Sequence, residues 1–264
     1  MDKKKIAVCY FSYWKDKEFL NNSLKVLEKT IERHPEYDIK VYVFDDGRCD
    51  KHLKKKELNC SPTLITTNFD RKGNLNGFEC IDGMFKEYVN IMEKFEFDYV
   101  IKLDSDCVLN SLDFIYAVEE ELKKNNIPLE NLGQIGTFFA SICCCGCCSI
   151  FTKQGVNTIS NLFVLMNRES NQQEKVMKKR VKLGYNEDKV VSVLMEMSPL
   201  VRVNLDAVPN VKGNCNAFHY PLEGTNYSEF SSIAFKPNKF ADTANWSREF
   251  CLELMEKHVK EMCD

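Results

Sequence analysis

The sequence has no long apolar run and no excess of basic residues, and each absence argues against a class of function. No stretch approaches the roughly 20 consecutive apolar residues of a membrane-spanning helix, so no intrinsic membrane segment is predicted. The formal net charge of the 264 residues is −3, which offers no general attraction to nucleic acid or anionic lipid. An anionic ligand would need local basic groups or a bound cation.

The chain also lacks the usual markers of targeting and of modular assembly. Its first residues lead through three lysines directly into a predicted strand, without the apolar region of a signal peptide. It has no repeat, tail or proline-rich linker that predicts a protein partner. The 13 cysteines are an odd number in largely apolar surroundings, which favours reduced thiols over a disulfide framework. A cytoplasmic protein is therefore expected.

The pattern of apolar residues predicts an α/β fold. The composition, 44% hydrophobic and 28% charged, is that of a globular protein with one sizeable domain. Residues 6–13 and 40–46 have the apolar character of buried strands. A helix ending at His34-Pro35 is predicted between them from apolar residues at helical spacing, which are Leu20, Leu24, Leu27 and Ile31. This strand, helix, strand order is typical of a doubly wound, mainly parallel sheet.

The most informative stretch is an apolar strand, residues 99–103, that ends on Asp104-Ser105-Asp106. Ligands of open α/β sheets bind at the carboxyl ends of the strands, and two acids placed there need a neutralising partner. A divalent cation suits them, with a pyrophosphate supplying further oxygen ligands. The alternative is an acidic pair that only caps a turn or the next helix.

This stretch resembles the D-x-D motif of nucleotide-sugar glycosyltransferases with the GT-A fold. The resemblance implies that Asp104 and Asp106 hold Mn²⁺ or Mg²⁺ against the donor diphosphate, with Ser105 beside the donor. It also implies a Rossmann-like, mixed, mainly parallel sheet flanked by helices in a single domain, residues 1–264. Residues 1–110 would form the nucleotide-sugar-binding half, and residues 111–264 the acceptor-binding half.

Two further segments match donor-binding positions of the family. The turn Asp45-Asp46-Gly47 matches the acidic turn that contacts the nucleotide base, although an ordinary Asp-Gly surface turn is the alternative. Arg71 and Lys72 precede a predicted helix, in a glycine-bearing loop that also contains Asn76, and could meet phosphate oxygens. The alternative for this loop is a flexible, solvated segment.

The second half of the chain contains candidates for a base and for a third metal ligand. Glu187 and Asp188 occupy the predicted first turn of a helix, where acids are stabilised by the helix dipole even without a catalytic role. The resemblance implies that one of them deprotonates the acceptor, with Asp188 preferred over Glu187, and hence that the reaction inverts the anomeric configuration. His219 is a candidate third metal ligand, with a packed structural histidine as the alternative.

Five cysteines surround Gly146 within residues 143–148 and suggest a metal site at first sight. Adjacent residues of a strand point to opposite faces, however, so these thiols cannot easily converge on one zinc ion or iron–sulfur cluster. Small buried thiols that pack near a substrate cleft are favoured instead.

Taken together, these features predict a metal-dependent glycosyltransferase that transfers a hexosyl or pentosyl group. The donor would be a nucleoside-diphosphate sugar, with a UDP-sugar favoured, and the acceptor a hydroxyl group. One alternative is a haloacid-dehalogenase-type phosphatase with Asp104 as nucleophile and Asp106 as acid/base. Three predicted strands, residues 6–13, 40–46 and 62–67, precede the strand that carries the motif here, and that position counts against the phosphatase. Another alternative is a non-catalytic sugar-nucleotide-binding protein on the same fold.

Overall fold

A computed structural model describes residues 2–47, 50–69, 78–139, 143–144, 148–168, 187–209, 211, 217–219 and 248–263. Its strands are β1 (Lys4–Ser12), β2 (Tyr37–Asp45), β3 (Thr63–Thr66), β4 (Tyr99–Leu103), β5 (Cys107–Leu109), β6 (Leu132–Gly136), β7 (Phe138–Phe139), β8 (Cys143–Cys144), β9 (Cys148–Thr152), β10 (Val201–Asn204) and β11 (Ala217–His219). Its α-helices are α1 (Lys17–Arg33), α2 (Phe78–Lys94), α3 (Asp113–Lys124), α4 (Lys153–Arg168), α5 (Glu187–Glu196) and α6 (Arg248–Cys263).

Seven strands form the main sheet, in the order β10-β6-β9-β4-β1-β2-β3. Strands β3, β2, β1 and β4 are parallel, whereas β9 is antiparallel to both of its neighbours, β4 and β6. Two small antiparallel pairs, β11 with β5 and β7 with β8, lie beside the main sheet. The predicted class is confirmed: a mixed, mainly parallel sheet flanked by helices in a single domain.

Alternating side chains of the central strands build a core on each face of the sheet. Val8 and Tyr10 of β1 pack with apolar residues of α1 and α3, whereas Cys9 and Phe11 pack with residues of α2, α4 and α5. This alternation follows from the two-residue period of a strand. Burial of each aliphatic side chain stabilises the folded state by roughly 1.5–3 kcal/mol. Helices therefore cover both faces of the sheet, so a ligand can approach it at the ends of the strands.

Helix α6 forms a third apolar cluster against α1. Its buried residues Cys251, Met255 and Val259 pack with Phe19 and Val26 of α1. Apolar residues among charged ones predict a closing amphipathic helix over residues 244–263 that packs on the domain, and the structure has this helix from Arg248 to Cys263. Helix α6 is thereby held along α1.

No helix within the described ranges is both long enough and apolar enough to cross a membrane. The seven cysteines whose side chains are described are all free thiols. Of the cysteine-rich segment, residues 143–144 form β8 and Cys148 begins β9, whereas Cys145 and Cys147 lie outside the described residues.

Candidate active site

Three parallel strands, β2, β1 and β4, end at the same edge of the sheet and bring candidate residues together. Ser12 at the end of β1 is paired with Asp45 at the end of β2, and Tyr10 of β1 is paired with Leu103 of β4. Asp45 and the turn at residues 104–106 therefore lie on either side of β1. This edge is the usual ligand-binding position of open α/β sheets.

The Asp104-Ser105-Asp106 turn connects β4 to β5. The backbone N–H of Cys107 donates to the carbonyl of Asp104 at 3.0 Å, which closes the turn. The side chain of Asp104 is 38% exposed, whereas Asp106 is buried. Ser105 donates a hydrogen bond to Asp16 Oδ2 at 3.4 Å. The two acids of the motif thus have different surroundings, and Asp104 is the more accessible to a ligand.

Lys102 lies beside these acids, although it belongs to an otherwise apolar strand. Its side chain is 2% exposed, and its Nζ lies 2.5 Å from Asp104 Oδ1 and 3.1 Å from Glu187 Oε2. Burial lowers the pKa of this ammonium group, but the charges of Asp104 and Glu187 outweigh burial and raise the pKa well above its ordinary value. Lys102 therefore stays charged and joins the end of β4 to the start of α5.

The two acids at the start of α5 also differ. Glu187 is buried, and burial raises its pKa to about 7 against the opposing effect of Lys102. Glu187 Oε1 has no hydrogen-bond partner among the described residues. Asp188 is partly exposed in the first turn of the helix, and its charge is close enough to Lys102 to raise the pKa of that lysine. Both predicted base candidates are thus near the D-x-D edge.

Asp45 is held at the end of β2 by the loop that follows it. Its carboxylate is buried, with Oδ2 2.9 Å from His52 Nδ1 and accepting from the backbone N–H of Leu53 at 3.3 Å. Burial raises the pKa of Asp45, and the hydrogen bonds from His52 and Leu53 lower it in part. Because Asp45 Oδ1 has no hydrogen-bond partner among the described residues, this oxygen keeps its capacity to accept a donor.

The turn after Asp45 has little room for a larger residue. Asp46 is partly buried, and its backbone N–H donates to the carbonyl of Ser12 at 3.2 Å. A Cβ atom added to Gly47 would lie 1.9 Å from the carbonyl oxygen of Thr67, which is too close for any side chain. The close approach of the chain at residue 67 therefore requires glycine at position 47.

Two groups of predicted site residues are described in part or not at all. Arg71, Lys72 and Asn76 lie outside the described residues, as does the side chain of His219. The backbone of His219 is described: β11 pairs antiparallel with β5, and His219 is directly opposite Cys107, the residue after Asp106. Directly opposite residues in such a pair have Cα atoms roughly 4.5–5.5 Å apart, so this backbone position is close to the D-x-D turn.

Arg248 brings the start of α6 to the same region. Its guanidinium donates to Asp16 Oδ1 at 3.1 Å and to the carbonyl of Lys15, and it stacks over the ring of Phe19 at 4.8 Å. Burial raises the pKa of Asp16, Arg248 lowers it and the nearby charge of Asp106 raises it. Asp16 therefore connects the D-x-D turn to the C-terminal helix.

The donor atoms at this edge suit a hard divalent cation. Carboxylate oxygens are the ligands that Mg²⁺ and Mn²⁺ prefer, and Asp104 combines one oxygen held by Lys102 with a partly exposed side chain. Within the described residues, no group of three His, Cys, Asp or Glu side chains is arranged to hold a metal ion. A cation bound here would need further ligands from a bound molecule or from a side chain outside that set.

Comparison with known proteins gives matches to solved structures only. No family model matches the chain, and no curated protein does so. A glycosyltransferase involved in the glycosylation of the major capsid of PBCV-1 is similar at a TM-score of 0.45 and 11% identity, over 96% of this chain and 98% of that one. The galactosyltransferase LgtC, solved with donor and acceptor sugar analogs, is similar at a TM-score of 0.45 and 10% sequence identity, over 95% of each chain. These TM-scores are too low to carry an argument about function, which has to come from the geometry of the site.

Four residues around the candidate site were not predicted from the sequence: Lys102, Asp16, His52 and Arg248. The first three contact candidate residues directly, whereas Arg248 contacts Asp16. Lys102 had a usable signal, because a single charged residue within an apolar strand must be paired when it is buried. The other three had none, since each contact depends on how distant segments or loops pack together.

Proposed function

We propose that the chain is a metal-dependent glycosyltransferase of the GT-A type. It transfers a hexosyl or pentosyl group from a nucleoside-diphosphate sugar, with a UDP-sugar favoured, to a hydroxyl group of an acceptor. Residues 1–110 form the donor-binding half, and residues 111–264 form the acceptor-binding half. The reaction inverts the anomeric configuration, and the protein acts in the cytoplasm.

One observation carries this proposal: the D-x-D turn and the acids of α5 meet through Lys102, which lies 2.5 Å from Asp104 and 3.1 Å from Glu187. An inverting sugar transferase needs a diphosphate site and a base that reaches the hydroxyl group attacking the same anomeric carbon. The sequence separates these residues widely, and the fold joins them at one sheet edge. A turn or helix cap with no further role would not require this convergence.

Each candidate residue then has a role in the reaction. Asp104, Asp106 and His219 would hold Mn²⁺ or Mg²⁺, which would supply positive charge against the departing diphosphate. Asp188 accepts the proton of the acceptor hydroxyl, and the buried Glu187 is the second choice for this role. The nucleotide base is contacted by Asp45 and Asp46. Ser105 lies beside the donor, and Arg71, Lys72 and Asn76 bind its phosphate oxygens.

Thermal unfolding tests this proposal directly. The wild type and the variants Asp106→Ala and Asp106→Asn are melted with Mn²⁺ and a panel of nucleoside diphosphates and nucleotide sugars. A ligand that binds only the folded state stabilises it by about 2.7 kcal/mol at one hundred times its Kd, enough for a shift of several degrees. We expect Mn²⁺-dependent stabilisation by UDP or a UDP-sugar that both variants lose.

Asp113→Ala is the matched control, because this exposed aspartate lies on α3, away from the turn, and its loss should leave ligand stabilisation intact. Stabilisation that survives in both Asp106 variants would contradict the assigned metal ligands. Phosphatase turnover of a generic phosphoester, with no stabilisation by any nucleotide, would overturn the proposed function.

A further inference from the structure

We propose that Lys102 is a positioning residue for sugar transfer: its ammonium group orients Asp104 towards the donor site and fixes the start of α5, and thereby Asp188. This inference rests on the proposed function and extends it to a residue that binds neither donor nor acceptor. Lys102 acts through Asp104 and Glu187, which belong to different elements of the fold.

The position of Lys102 in the sheet supports a role beyond stability. Side chains alternate along β4, so Lys102 points to the same face as Val100, which belongs to the apolar core against α2, α4 and α5. An apolar residue would suit this position, and replacing a buried ion pair with well-packed apolar groups is often neutral or stabilising. A fully buried lysine near the end of the central strand β4 therefore needs an explanation other than the strength of the core.

The contact with Asp104 provides the first part of that explanation. Lys102 Nζ holds Oδ1 of Asp104 at 2.5 Å, while the Asp104 side chain remains 38% exposed. Residues that fix the orientation of a metal-binding carboxylate commonly change metal affinity or activity by about 10- to 100-fold when they are removed. The positive charge of Lys102 also repels a cation, but Glu187 at 3.1 Å offsets that charge. We therefore expect the orienting effect to dominate.

The contact with Glu187 provides the second part. Glu187 is the first residue of α5, and the first turn of a helix lacks intrahelical partners for its N–H groups. Anchoring Glu187 to Lys102 fixes the direction of the next side chain, Asp188, because successive helical residues are related by a constant rotation. A misplacement of a reacting group by about 1 Å can reduce the rate about 100-fold.

The experiment compares Lys102→Met and Lys102→Arg with the wild type. Calorimetry measures the affinity for UDP in the presence of Mn²⁺. A coupled assay measures UDP release from UDP-glucose, UDP-galactose and UDP-N-acetylglucosamine, with water as the acceptor of the sugar. Lys102→Met should lose about 10-fold or more in affinity and about 100-fold in release rate. The UDP affinity of Lys102→Arg should lie within about fivefold of the wild-type value, because a guanidinium can also pair with two carboxylates.

Lys86→Met is the matched control, since the exposed Lys86 pairs with the buried Asp82 of α2 at 2.6 Å and should change neither quantity. If Lys102→Met does not fold, the double variant Lys102→Met/Glu187→Gln removes the carboxylate that would be left buried and unpaired. The proposal expects this double variant to melt near the wild type and still bind UDP weakly.

Wild-type UDP affinity in folded Lys102→Met, or in the double variant, would overturn the inference and leave the proposed function standing. A wild type that shows no Mn²⁺-dependent binding of UDP is a different failure. It would overturn the proposed function together with this inference.

Discussion

Arg248, the first residue of α6, donates a hydrogen bond to Asp16 Oδ1 at 3.1 Å, just before α1 begins. The contact ties the C-terminal helix to the segment that also meets the D-x-D turn through Ser105. We expect Arg248→Met to reduce stability by about 1 kcal/mol, because the pair is only partly shielded from solvent. The melting temperature should fall by roughly 2–4 °C.

Hydrogen exchange measured by mass spectrometry shows which part of the protein is destabilised in Arg248→Met. The amides at the start of α6 should exchange faster in this variant than in the wild type. Lys260→Met is the control, because Lys260 is exposed on the same helix. Equal exchange in Arg248→Met and the wild type would show that the apolar cluster alone docks the helix.

The hydrogen bond between His52 and Asp45 leads to a second prediction, on nucleotide affinity. His52→Phe keeps an aromatic ring but removes the partner 2.9 Å from Asp45 Oδ2. A hydrogen bond contributes about 1 kcal/mol, so the affinity for UDP with Mn²⁺ should fall by about fivefold if Asp45 contacts the base. His52→Asn retains a donor at a similar position and should stay near the wild type. Calorimetry that finds His52→Phe unchanged would argue against a role for Asp45 in binding.

Variants of the two acids of α5 should distinguish an effect on UDP binding from an effect on catalysis. Asp188→Asn removes the proposed base and should reduce UDP release by about 10²- to 10⁴-fold without changing UDP affinity. Glu187→Gln disturbs the pair with Lys102 and should affect affinity as well. Glu196→Gln, at the other end of the same helix and half exposed, is the control and should resemble the wild type. Full activity in Asp188→Asn would refute the assignment of the base.

The sequence predicts the main elements because their signals are local. The strand predicted at residues 6–13 is found as β1, Lys4–Ser12, and the helix predicted to end at His34-Pro35 is α1, Lys17–Arg33. Glu187 and Asp188 do occupy the first turn of α5, as their position before an apolar helical pattern indicates. Each of these features depends on residues within a few turns of the chain, where periodicity and end signals determine the structure.

The contacts of the site depend on distant pairings and could not be predicted in this way. Nothing near Lys102 indicates that its second partner is Glu187, since the order of the strands and the packing of α5 decide which charges meet. Strand β5 is too short for a periodic signal, and its pairing with β11 brings the backbone of His219 opposite Cys107. A pattern within either segment cannot show that the two segments are adjacent.

His258 on α6 should make stability sensitive to mild acid. Burial lowers the pKa of its imidazole below the ordinary value of 6.5, and Glu261 opposes this in part. The unfolded chain then binds a proton more readily than the folded chain, so the stability associated with neutral His258 is present above pH 6.5 and is lost as the pH falls through the lower, folded-state pKa.

Melting temperatures from pH 7.5 to pH 5.5 should therefore fall further for the wild type than for His258→Gln. Lys257→Gln, which removes a positive charge from an exposed neighbouring position, should keep the wild-type slope. Parallel melting curves for the wild type and His258→Gln would show that the imidazole is protonated equally well in both states.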